Sequence, residues 1–206
     1  MRNRSTTAVA VLTAALLLAL SVTASAARLS YSHQQFRIVW ASLTFSAAEG
    51  GVAITCPVTL EGSFHERTFN KVRDRLDSRI SAARVGACQE GNGTILAVSL
   101  PWEVTYQSFT GTLPDITGVR YALIGAAFQI EPGLGIRCLA TTSVEHPAAG
   151  DARRDSRGQI TSLITDSSLA IPTIGNPECP SAGIFTGSGE VYVQGSSSTR
   201  VTLTLI

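Results

Sequence analysis

Val52-Ala53-Ile54-Thr55-Cys56-Pro57-Val58-Thr59-Leu60-Glu61 alternates apolar and polar residues with a period of two. Val52, Ile54, Cys56, Val58 and Leu60 fall on one parity, and Thr55, Pro57, Thr59 and Glu61 on the other. Successive side chains of a strand point to opposite faces, so the pattern predicts a strand buried on one side. Pro57 has no N–H to give to a ladder, which places this part of the strand at an edge or a bulge. Just upstream, Phe36 to Phe45 is rich in β-branched and aromatic residues, and Glu49-Gly50-Gly51 supplies a turn. The two segments are expected to form a hairpin.

Working outward, the same period recurs over 94–109, where Leu96, Val98, Leu100, Trp102, Val104 and Tyr106 share a face and Pro101 is expected to bend the strand. Val119 to Ile130 is apolar on both parities, which suggests cover on both faces. Glu131-Pro132-Gly133 turns the chain into Ile136 to Val144, and 145–157 reads as a charged surface loop. Gln159 to Ile174 reads as one bent strand or two short ones, followed by a Pro-rich loop over 176–183. Phe185 to Val193 and Thr199 to Ile206 are expected to pair across Gly195-Ser196-Ser197.

One segment departs from the period. Phe69, Val72, Leu76, Ile80 and Ala83 recur every three or four residues, which predicts an amphipathic helix with Thr68 as N-cap and Gly86 beyond its end. Gly125-Ala126-Ala127 offers a small surface for it to pack on. A period-two reading of Val72, Leu76 and Ile80 would put Asp74 and Ser78 on the buried face. The expected fold is mainly β: an antiparallel barrel or sandwich of about eight to nine strands with one amphipathic helix.

The start of the chain carries an address. Arg2 and Arg4 precede an apolar run from Ala8 to Val22, and Ala24-Ser25-Ala26 places small residues at −3 and −1. That order is expected of a secretory signal peptide over residues 1–26, leaving 27–206 as a single β-rich domain. The apolar run is short of the roughly 20 residues a bilayer span needs, so no transmembrane segment is expected once the signal is removed. Secreted or extracytoplasmic localisation follows. Losing Arg2 and Arg4 leaves 14 basic residues against 15 acidic ones. A chain so close to neutral is not expected to bind nucleic acid. In an exported chain the four cysteines, Cys56, Cys88, Cys138 and Cys179, read as two disulfides. Three pairings are open, and sequence neighbours, Cys56–Cys88 and Cys138–Cys179, are the simplest. Their spacing does not suit zinc.

Cys56-Pro57-Val58-Thr59-Leu60-Glu61-Gly62-Ser63-Phe64-His65, Leu100-Pro101-Trp102-Glu103-Val104, Phe109-Thr110-Gly111-Thr112-Leu113-Pro114 and the closing Val201 to Ile206 together resemble a family of secreted, β-rich proteins from GC-rich bacteria. The resemblance spans nearly the whole mature chain. It implies secretion and a β-rich fold, and it carries no activity and no functional residues.

Candidate chemistry is sparse. A hydrolase triad needs a nucleophile, a His base and an acidic orienter, and no G-x-S-x-G elbow is present. His65, beside Glu66, and His146, beside Glu145, are the candidate bases; His33 lies close to the mature N-terminus. His65-Glu66 begins an H-E-x-x-H pattern, but position 69 is Phe. Glu145, His146, Asp151 and Asp155 could gather around calcium, and Glu103 with Glu190 could form a glycosidase pair. On the predicted helix, Arg67, Lys71, Arg75 and Arg79 are spaced by four, a basic stripe suited to an anionic surface. The expected function is a secreted, non-enzymatic domain that binds a ligand or partner at or outside the cell envelope, without cofactor or metal. The alternative is a small secreted hydrolase using His65 or His146.

Overall fold

The alternating stretch forms the expected hairpin. The computed structural model describes residues 28–51, 53–133, 135–166 and 171–206, so the expected signal peptide lies outside the described residues. Strands β2 (Gln35–Ala47) and β3 (Ala53–Phe64) pair antiparallel, with Ile38 against Leu60 and Trp40 against Val58. Phe36, Ile38 and Trp40 share one parity, whereas Leu43, Phe45 and Ala47 share the other. A bulge between Trp40 and Leu43 absorbs the change, so all of them are buried.

Six further strands complete a ring. They are β5 (Leu76–Val85), β7 (Trp102–Thr112), β8 (Asp115–Ile124), β11 (Ala148–Arg154), β12 (Ile160–Asp166) and β14 (Ala182–Val193). Each pairs antiparallel with the strand before it, in chain order from β2 through β3 and β5 to β12. β12 then pairs with β14, and β14 pairs back onto β2. The inner face is apolar. Glu61, Arg79, Glu103, Arg120, Asp151 and Glu190 stand on the outer face, the reverse of a barrel whose outside meets lipid.

The sheet forks at β14. Thr186 to Gly189 pair with β12, while Ala182 and Gly183 pair with β13 (Ile171–Gly175). From β13 a branch continues through β10 (Ile136–Thr141) and β9 (Ala127–Gly133) to β6 (Asn92–Ile95). It covers the far halves of β2 and β3, where Leu43, Phe45, Ile54, Phe128, Ile130 and Phe185 meet. On this side the fully buried Trp102 tilts against Phe128 with ring centroids 5.1 Å apart. A separate sheet of β1 (Arg28–Tyr31), β4 (Thr68–Asn70) and β15 (Leu203–Leu205) lies across one end of the ring. There Tyr31 stacks on Phe64 with centroids 3.5 Å apart.

The mainly β, antiparallel expectation holds, and several finer expectations do not. Fifteen strands stand among the described residues, where about eight or nine were expected. The helix expected from Thr68 is absent. β4 and β5 replace it, joined by a turn in which Asp74 has φ 61°. Two strands and a turn reproduced the three-to-four spacing by coincidence: Val72 is exposed in the turn and Leu76 is only half-buried. Gly125 to Ala127 is the corner between β8 and β9, not a helix seat. The charged segment 145–157 is no simple loop, because Ala148–Arg154 is a wall of the ring. The closing hairpin is brief: Val193 N–H donates to the Thr199 carbonyl at 2.8 Å, and β15 then leaves to pair with β1.

Cys56 is bonded to Cys88 and Cys138 to Cys179. Their separations of 32 and 41 residues give about 4 kcal/mol each in the chain-entropy account. One glycine fixes an aromatic wall. A Cβ added at Gly189 of β14 would sit 2.7 Å from the Trp40 ring, so the indole lies flat on bare backbone. Gly189→Ala should displace it and cost about 1–3 kcal/mol, read by urea denaturation.

Candidate functional site

Eight strands enclose an interior just wide enough to be filled by side chains or to hold one small ligand. Here the filling is incomplete. Phe36, Ile38 and Trp40 of β2 and Leu60 and Phe64 of β3 supply one wall. The facing wall, β11, presents Ala148, Gly150 and Ala152, whose side chains are too short to reach across. A cavity of about 100 Å³ remains between them. Ile80, Val104, Leu163 and Val191 complete its apolar lining.

A polar cluster closes one end. The bulge between Leu76 and Ser78 turns both Asp77 and Ser78 inward, to 3% and 2% exposure. Tyr31 of β1 donates to Asp77 Oδ1 at 2.8 Å. Its one proton is used there, so Tyr121 of β8 donates to the Tyr31 hydroxyl at 2.6 Å. Burial pushes the Asp77 carboxyl up to about 7, partly offset by its hydrogen bonds from Tyr31 and Ser78. Burial, and then the Asp77 charge, raises both tyrosines well above their ordinary range. A second polar feature sits on the aromatic wall: the Trp40 Nε1–H is buried and has no hydrogen-bond partner.

The residues singled out in the sequence lie elsewhere. His65 and His146 are both exposed and do not line the cavity. Three of the four candidate calcium ligands have other partners. Asp151 pairs with Arg120 at 2.9 Å, Asp155 accepts the Arg157 and Gln159 amides, and Glu145 accepts from Ser143. Among the described residues no group of three or more His, Cys, Asp or Glu could hold a metal ion. Glu103 on β7 and Glu190 on β14 stand four strands apart around the ring in either direction, both exposed, and pair with Arg79 and Arg200. The basic stripe dissolves with the helix: Arg67 donates to the Tyr31 and Ser32 carbonyls, Arg75 pairs with Glu66, and Lys71 lies over the Phe109 ring.

Sequence reading missed Asp77, Tyr31, Tyr121 and Trp40. One signal was present, the Asp-Ser pair between Leu76 and Ile80 in a stretch that also reads with period two. No histidine lines the cavity, and its titratable groups are Asp77 and Tyr121. Its walls can surround an apolar body, with the Asp77 cluster at one end. Comparison with protein-family models, curated proteins and solved structures returned no match.

Proposed function

We propose that this chain is an extracytoplasmic, non-enzymatic binding domain whose strand ring holds a compact apolar molecule. The observation that carries the reading is the cavity of about 100 Å³ between the aromatic wall and the small-residue wall. An engineered protein cavity of about 150 Å³ stays dry and binds benzene, so a molecule of that scale sets the size class, well below a drug-sized ligand. The finer architecture, an eight-strand antiparallel barrel carrying a side branch and an end sheet, belongs to the same reading. It is supported by the closing pair of β12 and β14. Export is supported by the order of charge, apolar run and small residues over 1–26 and by the two disulfides. No helix among the described residues is long and apolar enough to cross a membrane. The hydrolase alternative with His65 or His146 has no supporting observation.

Ligand binding to the folded state raises stability by mass action. Saturating benzene should therefore raise the melting temperature of the mature protein. Ala148→Leu, which fills the cavity from the small wall, should remove that rise while leaving a cooperative transition. A benzene response of equal size in both proteins would place the binding elsewhere and refute the reading.

A further inference from the structure

We propose that the interior site takes a compact hydrocarbon bearing one amino group, and that the ligand's ammonium pairs with the Asp77 carboxylate. The inference rests on the binding reading above and names its ligand class.

Asp77 lines the cavity together with Ser78 and Tyr121, and 3% of its surface remains uncovered. The bulge in β5 brings it there. A carboxylate offers two oxygens and about four lone-pair positions. Tyr31 fills one of them, on Oδ1, and Ser78 supplies a second hydrogen bond. Both donors are neutral. Among the described residues no Lys, Arg or His forms an ion pair with Asp77. Buried charges are ordinarily paired. An uncharged acceptor would serve Tyr31 and Ser78 equally well. What the carboxylate adds is charge, and the cavity beside it has room for the partner.

The rest of the lining narrows the class. Asp77 is its one charged residue, with no Lys, Arg or His to receive an anion, while Ile38, Trp40, Leu60 and Ile80 surround a hydrocarbon body. The carboxylate loses its water when the chain folds, so binding has only the ammonium's dehydration to offset. A neighbouring cation also favours the ionised carboxyl, so affinity follows the charge of Asp77. Tyr31 of β1 and Tyr121 of β8 face Asp77, and Tyr106 of β7 stands near Tyr121. Burial raises all three tyrosines, so they stay neutral while Asp77 titrates. Arg75 and Arg79, on either side in sequence, pair with Glu66 and Glu103. His65, whose amide donates to the Asp77 carbonyl, is exposed.

Three probes of about six heavy atoms match the size class: cyclopentylamine, methylenecyclopentane and cyclopentanol. Each is titrated calorimetrically into the mature protein and its Asp77→Asn variant at about pH 8 and about pH 5.5. At the higher pH methylenecyclopentane should bind, and cyclopentylamine should bind about tenfold to a hundredfold tighter, the range of one charge-assisted hydrogen bond. The Asp77 carboxyl titrates at about 7 in the free protein. Below that value the amine must displace its proton, so at the lower pH amine affinity should fall about thirtyfold while the hydrocarbon changes little. Asp77→Asn should keep the hydrocarbon and abolish both the amine's advantage and its pH dependence, which also separates any contribution from His65. Should Asp77→Asn fail to fold, the carboxyl carbon resonance of Asp77 in the native protein still decides: cyclopentylamine should move its titration below about 7, and the hydrocarbon should not. Hydrocarbon binding as tight as amine binding at the higher pH would overturn the amine proposal and leave the apolar-binding reading standing. Tightest binding by cyclopentanol would overturn it in favour of a neutral hydroxyl ligand, and an amine advantage that survives Asp77→Asn would place the ammonium elsewhere and overturn it too. Binding of none of the three would overturn both readings.

Discussion

Between pH 4 and pH 7, Asp77→Asn should gain about 4 kcal/mol of stability relative to the native protein. The Asp77 carboxyl is raised from 3.8 to about 7, mainly by burial. Below pH 3.8 it is protonated whether the chain is folded or unfolded, and the full stability is present. As pH rises through the window the unfolded chain releases the proton while the folded chain keeps it, so stability falls by about 1.4 kcal/mol per pH unit. Above about pH 7 the folded group ionises as well and the loss levels off. Asparagine fills the same space and never ionises, so its own hydrogen-bonding cost is a constant offset and only the slope matters. Urea denaturation of both proteins from pH 3.5 to 8.5 measures the divergence. Parallel curves would show that Asp77 is not held in the dry cluster with Tyr31 and Tyr121.

Phe64→Ala should cost about 3–5 kcal/mol, the range for truncating a buried aromatic. Phe64 is 6% exposed, stacks on Tyr31 and tilts against Phe36 at 4.7 Å. Its loss removes one of the contacts that join the end sheet to the ring, and opens space next to the cavity. The variant should therefore be less stable and also accept a larger hydrocarbon than the native protein. Val98→Ala, at a site 91% exposed, should change stability by no more than about 0.5 kcal/mol. Similar losses from both substitutions, read from denaturation midpoints, would contradict the placement of Phe64 in the core.

Large apolar residues made the spine legible in advance. Ile54, Cys56, Val58 and Leu60 announce their face because an inward side chain in a half-buried strand has to be apolar, and the Gly50-Gly51 turn fixes the partner. The β11 wall was illegible for the same reason. Ala148, Gly150 and Ala152 point inward but carry almost no hydrophobic signal, and the charges of Asp151, Arg153 and Arg154 between and after them look like a loop. The feature that hid this strand is the one that leaves the cavity open.

The false helix has a comparable origin. A bulge shifts parity inside β5, so Asp77, Ser78 and Ile80 are all buried, and no regular period describes them. The cluster around Asp77 was hidden further because its partners come from β1 and β8, 46 and 44 residues away in sequence. The histidines drew notice as chemical groups, yet both stand outside the ring's interior. Composition shows which residues can do chemistry. Only the closure of the ring shows which of them face one another.

Intermolecular nuclear Overhauser effects from benzene to assigned methyl groups test the central claim most directly. If the ring interior is the binding site, benzene protons should contact the methyls of Ile38, Leu60, Ile80, Ala148 and Leu163, which line the cavity from five strands. Contacts confined to exposed methyls such as those of Val98 and Val144, or none at saturating benzene, would contradict it.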